Sequence, residues 1–463
     1  MRTTPSTLLA DTESVCPVCL RRLPAQRIAE GDDVYLVKRC PEHGAFRTIV
    51  WRGLDSYRRW GTRGSRAATP PVTETAIDRG CPHDCGLCPE HRQHSCCVLL
   101  EVTQRCNLRC PVCFASAGAE DSDPTLAEIE ESLRRLQRHG SPVNIQLSGG
   151  EPTLRDDLPA IVARTRSMGF DFVQLNTNGL RLAKESDYAQ RLVDSGLDCV
   201  FLQFDGVSDG VYQSIRGARL LTIKKTAILR CADAGLGVVL VPTLVPGVNV
   251  GEIGAIVKFA VARAPVIRAV HFQPASYFGR YPGAPTDRDR ITLPEVMHEL
   301  EAQSGGTVRA ADFAPGSAEN AYCSFSGKFF VGADGRLQAA APAADCCRPA
   351  SGCGCGLPAA GDHAQRARRV VAGQWAAETP AVVDGHLPGI DVASFDAFLA
   401  SRRHSFSISA MAFQDAWNLD LERLRECFIH VVAPDHRIIP FCAYNLTSVS
   451  GESLYRRAAC TAT

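Results

Sequence analysis

The sequence lacks an excess of charge of either sign, and it lacks a long apolar run. Lys plus Arg and Asp plus Glu both total 50 in 463 residues, so the formal net charge is zero. This balance gives no bulk electrostatic case for nucleic acid as a partner. No uncharged apolar stretch reaches the roughly 18 residues that a membrane-spanning helix needs. The N-terminal residues do not resemble a secretory signal. We therefore expect a cytoplasmic protein, and peripheral contact with a membrane is left open.

Cysteine, by contrast, is abundant, with 21 residues. The rest of the composition, 45% hydrophobic and 22% charged, is that of an ordinary globular protein. A reducing cytosol disfavours stable disulfides, so cysteines at short spacings indicate metal sites. Three cysteines stand outside such clusters and are expected to be buried, inert thiols: Cys199, Cys231 and Cys460.

Composition and pattern divide the chain into four segments. Residues 1–60 form a small metal-binding block, and residues 61–97 form a linker that leads into a cysteine-rich segment. Residues 98–305 alternate strands and helices. Residues 306–463 lose that alternation, and we expect them to form a C-terminal extension.

The third segment predicts the fold class. Strand-like runs lie at residues 98–102, 143–147, 172–175, 199–204, 238–243 and 269–272, and helical patterns lie near 158–168, 187–195, 220–234 and 253–264. Thr125 to Glu128 form a capping box for a further helix, which Gly140 ends. Six βα-type units predict an α/β fold, a parallel sheet arranged as a partial (β/α)6 barrel. Ligands of such sheets bind at the carboxyl ends of the strands.

Three cysteines follow the first strand with the spacing C-x3-C-x2-C: Cys106, Cys110 and Cys113. Thiolates at this spacing can converge on an iron–sulfur cluster or on zinc. A cubane cluster with only three protein ligands keeps one iron free for a substrate or cofactor, as catalytic zinc sites keep an open position. The alternative is a zinc knuckle whose fourth ligand lies elsewhere.

Polar residues follow the next strands of the predicted barrel. Glycines let the backbone approach a ligand closely, and a carboxylate can bind an ammonium group. We therefore predict that a ligand contacts Gly149, Gly150 and Glu151, with an ordinary turn as the alternative. Further polar residues, for which a capped turn is the alternative, stand at or after later strand ends: Asn176, Asn178, Asp205 and Arg216.

The N-terminal block carries the pattern C-x2-C…C-x2-H, formed by Cys16, Cys19, Cys40 and His43. Two knuckles of this type make a tetrahedral site for zinc or for a single iron. Because four protein ligands close the site, we expect a role in structure or electron transfer.

A second C-x3-C-x2-C, formed by Cys81, Cys85 and Cys88, precedes the first strand. Cys96 or Cys97 could supply a fourth ligand. Four ligands would make a closed, auxiliary 4Fe–4S cluster, and zinc is the alternative.

The C-terminal segment holds further cysteines. Cys323, Cys427 and Cys442 are the predicted ligands of a second auxiliary cluster. Four more cysteines could instead belong to an irregular loop: Cys346, Cys347, Cys353 and Cys355.

Candidate substrate residues follow the sixth strand, where a substrate of such a barrel should lie. Arg280 could meet a phosphate, and a solvated loop is the alternative. Trp417 and Asn418 either line the site or pack in the core. The four residues near the strand are His271, Gln273, Tyr277 and Arg280.

The central motif, followed by SGGEPT one βα unit later, resembles the signature of the radical S-adenosylmethionine (SAM) superfamily. The resemblance implies that the open iron binds the amino and carboxylate groups of SAM. It also implies cleavage to a 5′-deoxyadenosyl radical that abstracts hydrogen from a substrate. The resemblance further implies that a set of residues at the strand ends contacts SAM: Gly149, Gly150, Glu151, Asn176, Asn178, Asp205 and Arg216.

The order of the segments CPVC/CPEHG, GCPHDCGLCPEHRQHSC, EVTQRCNLRCPVCFASAG, LSGGEPTLRDDL and FQPASYFGR resembles the tetraether lipid synthase family and its bacterial relatives. That resemblance implies a rubredoxin-like head, a radical SAM core and one or two auxiliary clusters, and it favours Cys96 as a ligand. It implies an electron donor of the ferredoxin or flavodoxin type. The implied reaction is C–C coupling of lipid alkyl chains. The alternative is C-methylation of a pterin precursor or another small molecule.

Overall fold

The structure is a computed structural model that describes residues 6–62, 69–118, 123–140, 142–316, 318–332, 334–340, 362–377 and 404–456. The predicted irregular loop with Cys346, Cys347, Cys353 and Cys355 lies outside the described residues, and so does Cys460.

The N-terminal block is an antiparallel sheet whose strands follow chain order. The strands are β1 (Ser6–Val15), β2 (Arg22–Glu30), β3 (Asp33–Cys40) and β4 (Gly44–Arg52), and helix α1 (Leu54–Gly61) follows them. The block is packed on the C-terminal segment. Nζ of the buried Lys38 donates to the carbonyls of Ala416 and Trp417, both at 2.8 Å. Arg27 donates to the Glu422 carboxylate at 2.5 Å.

A larger sheet forms the centre of the molecule. Its strands are β5 (Cys97–Thr103), β6 (Asn144–Gly149), β7 (Val173–Thr177), β8 (Cys199–Gln203), β9 (Gly237–Val241), β10 (Thr243–Leu244), β11 (Ile267–Pro274), β12 (Ser324–Val331), β13 (Leu337–Ala339), β14 (His404–Met411), β15 (Ile429–Val432) and β16 (Ile438–Pro440). In the described ranges the order is β13-β12-β14-β11-β9-β8-β7-β6-β5-β15-β16, and β10 pairs with β11. The strands from β14 to β15 in this order run parallel, while β12, β13 and β16 are antiparallel to their neighbours.

Helices cover the sheet. They are α2 (Leu126–Arg138), α3 (Leu158–Ser167), α4 (Leu180–Lys184), α5 (Tyr188–Asp194), α6 (Asp209–Arg216), α7 (Leu221–Asp233), α8 (Ile253–Val261), α9 (Leu293–Gln303), α10 (Asp362–Trp375), α11 (Leu421–Arg425) and α12 (Phe441–Tyr444). The predicted capping box begins α2: the Thr125 hydroxyl accepts from the Glu128 N–H, and the Glu128 carboxylate accepts from the Thr125 N–H. The α/β fold class and all six predicted strands are confirmed.

The two faces of the central strands differ in chemistry. One face supplies the main apolar core between sheet and helices, with residues such as Ile145, Leu147, Val173 and Leu175. Alternate residues point to the other, concave face because side chains alternate along a strand. This inward face is the inside of the partial barrel.

The change of rhythm near residue 305 does not end the sheet. Strand β14 adds to β11 in parallel, and β15 adds to β5 in parallel, so the C-terminal segment extends the barrel at both edges. Among the described residues, no helix combines the length and the apolar character that crossing a membrane requires.

Candidate active site and metal centres

The cluster loop, which runs from the end of β5 to residue 118, carries Cys106, Cys110 and Cys113. The Cys106 N–H donates to the carbonyl of Gly118 at 3.0 Å, which closes the loop. Burial raises the pKa of Cys106 to about 11, and the charges of Glu151, Cys113 and Cys110 add to this effect. Negative charge on Cys110 and Cys113 therefore disfavours the ionised form of Cys106. A bound cationic cluster would supply the positive charge that such buried thiolates need.

The segment after β11 supports this loop. Cys113 and Arg280 form an antiparallel bridge with N–H···O distances of 2.9 and 3.0 Å, and Arg280 Nε donates to the Cys110 carbonyl at 2.9 Å. Gly279 has φ of +54°, and a Cβ there would lie 2.6 Å from the Phe114 carbonyl oxygen. Arg280 thus holds the cluster loop in place, and its contact with a phosphate stays a prediction.

The two glycines of the GGEP motif are required by the approach of β5. Gly149 has φ of +124°, and a Cβ at that position would collide with the Thr103 carbonyl. A Cβ at Gly150 would collide with the Arg105 carbonyl. The N–H groups of Gly150 and Glu151 donate to these same carbonyls at 2.8 Å. The glycines therefore join the end of β6 to the start of the cluster loop.

The Glu151 carboxylate is buried and accepts four hydrogen bonds within the protein. It accepts from the hydroxyls of Thr153 and Thr177 at 2.6 and 2.7 Å, and from the N–H groups of Thr153 and Asn178 at 3.1 and 2.7 Å. In the structure it braces the end of β6 against the end of β7. Its binding of a cofactor ammonium group stays a prediction.

The two predicted asparagines lie on either side of this brace. Asn176 donates to the Ser148 hydroxyl at 3.1 Å and accepts from Gln146 at 2.5 Å. Asn178 donates to Asn107 of the cluster loop at 2.8 Å. The strand ends are thus linked by side chains to the cysteine-bearing loop.

Asp205 and Arg216 form a buried, bidentate ion pair with two distances of 2.7 Å. Arg216 also donates to the Thr243 hydroxyl at 3.0 Å. Burial raises the pKa of the Cys110 thiol, and the Arg216 charge opposes that rise. Arg216 therefore lies between Asp205 and the cluster loop, where it favours a thiolate at Cys110.

Sequence reasoning missed Lys224 on α7. This fully buried side chain donates from Nζ to the Asn178 carbonyl at 2.5 Å and to Gln203 Oε1 at 3.3 Å. Burial lowers its pKa to about 8, against the opposing charge of Asp205. A signal was present: Lys224 lies on the same helical stripe as the buried Ala227 and Ile228.

The N-terminal ligands converge on a point of tetrahedral size. The donor atoms of Cys16, Cys19, Cys40 and His43 all lie within 4.8 Å of one another. The separations Cys16 Sγ to His43 Nδ1 (3.6 Å), Cys40 Sγ to His43 Nδ1 (3.4 Å) and Cys19 Sγ to Cys40 Sγ (4.0 Å) resemble the edges of a tetrahedron. Zn–S bonds of about 2.3 Å and Zn–N bonds of about 2.0 Å would give edges of roughly 3.5–3.8 Å. The residues fit zinc.

The first auxiliary group, Cys81, Cys85 and Cys88, borders a narrow cleft that Leu424 and Pro440 also line. A hydrogen bond with the Cys81 thiol raises the pKa of Cys85, and burial raises it further. Cys97 points instead to the inward face of the barrel, where its thiol lies 3.6 Å from Gln146 Oε1. Cys97 is therefore engaged away from this group.

The C-terminal group brings Cys323, Cys427 and Cys442 together. Burial raises the pKa of Cys427 to about 12, and the Cys323 charge contributes. The buried Arg423 reaches the Cys323 sulfur at 3.5 Å. The negative charge of Glu319 raises the pKa of three thiols, those of Cys96, Cys323 and Cys427. Cys96 thus lies near Glu319, as the C-terminal group does. Its role as a ligand of the Cys81 group stays a prediction.

The predicted substrate residues divide into two sets. His271 lies on the inward face of β11, which also carries Gln273, and His271 Nδ1 is 2.8 Å from the Ser409 hydroxyl. Tyr277 and Trp417 pack together, with ring centroids 6.4 Å apart. Asn418 accepts the N–H of Asp415 at 2.8 Å. Trp417 and Asn418 therefore belong to the packing of the C-terminal segment.

Comparisons with known proteins match both the core and the head. Residues 100–260 match the model of the radical SAM superfamily, and residues 8–52 match the HMPTM N-terminal zinc ribbon domain. A 7,8-dihydro-6-hydroxymethylpterin dimethyltransferase of Methanocaldococcus jannaschii is 34% identical over 472 residues, 94% of this chain and 93% of the relative. A GTP 3′,8-cyclase of Chlorobaculum tepidum is 30% identical over 259 residues, which are 52% of this chain and 76% of the cyclase. The crystal structure of SuiB from Streptococcus suis is 16% identical, covers 46% of each chain and has a TM-score of 0.39.

These matches overturn the predicted coupling of lipid alkyl chains. The relative that spans nearly the whole chain is named as a pterin dimethyltransferase, and the head matches a ribbon of the HMPTM type. The same matches give no support to a lipid substrate or to contact with a membrane. The alternative prediction, C-methylation of a small molecule, agrees with the findings better.

Proposed function

Because the chain belongs to the radical SAM superfamily, and within it to the family of the M. jannaschii dimethyltransferase, we propose that it C-methylates a pterin precursor related to 7,8-dihydro-6-hydroxymethylpterin. The observation that carries the proposal is the match to that relative, 34% identical across 94% of the chain. The match includes the N-terminal ribbon, so it reflects more than the shared core.

A 4Fe–4S cluster and SAM, when bound, supply a carbon radical that removes hydrogen from a C–H bond. Cys106, Cys110 and Cys113 would hold that cluster, and the protein's part is to position it. Arg280 and Gly279 fix the cluster loop from one side. The bond between Asn178 and Asn107 fixes the loop from the strand ends.

Arg216 contributes electrostatics to this site. Its charge is held by Asp205 through two hydrogen bonds and lies beside Cys110. A fixed cation there favours the ionised thiol that ligates metal. Lys224 adds a second buried donor at the same strand ends, and its Nζ ties Asn178 and Gln203 together.

The inward face of the barrel supports a small polar substrate over an alkyl chain. It carries Gln146, Gln174, Asn176 and His271, which are buried or half-buried. Burying amide groups against hydrocarbon, without hydrogen-bond partners, is costly. Sites for small polar ligands, by contrast, combine apolar walls with a few placed polar groups.

The proposal is tested by producing the protein anaerobically in a bacterial host that itself makes 7,8-dihydro-6-hydroxymethylpterin. Mono- and dimethylated pterins should appear by mass spectrometry with the wild type. They should disappear with Cys110→Ala and persist with Cys231→Ala, which removes a buried thiol on α7. Absence of methylated pterins in a strain whose purified protein still forms 5′-deoxyadenosine from SAM would contradict the substrate. A ferredoxin- or flavodoxin-type reductant is proposed as the electron source.

A further inference from the structure

We infer that the inside of the barrel holds a recognition site for the ring of a planar, amide-bearing heterocycle, with Gln174 as its specificity-determining residue. This inference rests on the proposed function and adds the residue that selects the substrate. The observations that carry it are a chain of engaged polar side chains and one buried amide oxygen without a partner.

The engaged side chains run across β5, β6 and β7. The Cys97 thiol lies 3.6 Å from Gln146 Oε1, and Gln146 Nε2 donates to Asn176 Oδ1 at 2.5 Å. Asn176 Nδ2 then donates to the Ser148 hydroxyl at 3.1 Å. These groups orient one another, so the amides of Gln146 and Asn176 are held in position.

Gln174 lies directly beside this chain. It pairs in register with Gln146 of β6 and stands two residues before Asn176 on β7. Its neighbours Val173 and Leu175 belong to the outer core, so Gln174 faces inward. The side chain is only 1% exposed, yet its Oε1 atom has no hydrogen-bond partner in the structure as described.

An unpaired buried amide oxygen is expensive unless something donates to it. The Gln174 side chain faces the interior of the barrel, because Val173 and Leu175 on either side of it belong to the outer core. A ligand N–H group that approaches from the interior would remove the deficit. The structure therefore assigns Gln174 as an acceptor for a ligand donor.

Aromatic side chains face the same interior. The ring of Phe201 on β8 lies 4.7 Å from that of Trp375 on α10 and 6.0 Å from that of His271, measured between centroids. Such flat apolar surfaces suit a planar ring. Amides beside aromatic faces match a fused heterocycle whose edge carries N–H groups.

Helix α10 closes the amino-terminal end of the barrel. Asn144 Nδ2 donates to the Arg368 carbonyl at 3.3 Å, and Trp375 Nε1 donates to the Ser407 hydroxyl at 3.3 Å. A Cβ at Gly237 would lie 2.8 Å from the Trp375 carbonyl oxygen. A ligand therefore enters from the carboxyl ends of the strands. Gln174 stands about 7 Å, two strand residues, below Asn176 at that end.

The test uses the reconstituted full-length protein with Gln174→Met, which removes the acceptor at nearly constant volume. We expect the dissociation constant for 7,8-dihydro-6-hydroxymethylpterin, measured by anaerobic equilibrium dialysis, to rise about tenfold or more, because the ligand N–H loses its partner. Iron content and substrate-free cleavage of SAM should match the wild type. The thermal midpoint without substrate should not fall, since an unpaired polar atom is replaced by an apolar group.

Gln303→Met on α9 is the matched control. Its amide donates to the Val250 carbonyl and accepts from Gly254, away from the barrel interior. This variant should lower the thermal midpoint and leave pterin affinity unchanged. If Gln174→Met binds the pterin as the wild type does, or if it loses stability as the control does, the assignment of Gln174 is wrong while the proposed function stands. If the wild type itself fails to bind the pterin, the proposed function fails and this inference fails with it.

Discussion

At the residue scale, His271 shows how far the barrel interior differs from water. Burial alone lowers its pKa to about 4, and its neighbours are Ser409, Phe201 and Trp375. Between pH 6.5 and pH 4 this histidine is mostly protonated in the unfolded chain, where its pKa is near 6.5, and mostly neutral in the folded state. Stability from the neutral ring is therefore present above about pH 6.5 and is lost as the pH falls toward 4.

We expect His271→Asn to weaken this pH dependence. Between pH 6 and pH 5 the free energy of unfolding of the wild type should fall by about 1 kcal/mol more than that of the variant. Urea unfolding under anaerobic conditions, followed by tryptophan fluorescence, measures the difference. His298→Asn, at an exposed position on α9, should behave as the wild type does. Equal pH dependence in His271→Asn and the wild type would show that the ring is not buried as described.

At the scale of elements, the segment after β11 acts as the support of the cluster loop. We expect Gly279→Ala to displace that loop, because the new Cβ would lie 2.6 Å from the Phe114 carbonyl oxygen and 2.7 Å from that of Cys113, at a φ of +54°. Iron per chain after reconstitution should drop, and 5′-deoxyadenosine formation should fall at least tenfold.

Gly283→Ala is the control for this change, since a Cβ at Gly283 meets no atom within 4 Å and its φ is not positive. It should keep both the iron content and the cleavage of SAM. Full activity in Gly279→Ala would mean that the loop does not depend on this support.

At the scale of the whole molecule, the zinc ribbon is a separate metal unit that is docked on the C-terminal segment. We expect Cys40→Ser to lose zinc and to lower the thermal midpoint, because structural zinc contributes folding free energy directly. Iron content should not change, since the three groups of cysteines that are predicted to bind iron lie elsewhere in the chain. Metal analysis by mass spectrometry measures the zinc and the iron content. The control variant Cys231→Ser should keep the content of both metals. Iron in place of zinc in the wild-type ribbon would instead favour electron transfer.

The limits of prediction from sequence are visible in particular elements. The six barrel strands were predicted close to their bounds because apolar runs and turn residues are local signals. The addition of β14 to β11 was not, since more than a hundred residues separate the two strands. Lys224 was missed because a lysine in a helix is usually exposed, whereas this lysine lies on the buried stripe of α7. The contacts that Glu151 and Arg280 make within the protein were not predicted, because their partners come from other strands and loops.

The amino-acid sequence by itself determined the chemistry of the N-terminal metal site and of the radical SAM loop, since ligands three or four positions apart in one loop lie close together in space. It also determined the α/β class, because the strand and helix periods are local. Only the tertiary structure decided what surrounds those ligands: the pairing of Arg216 with Asp205 beside Cys110, the meeting of Cys323 with Cys427 and Cys442, and the amide-lined interior around Gln174. These contacts join residues far apart in the chain, so their geometry depends on how the whole sheet curves and packs.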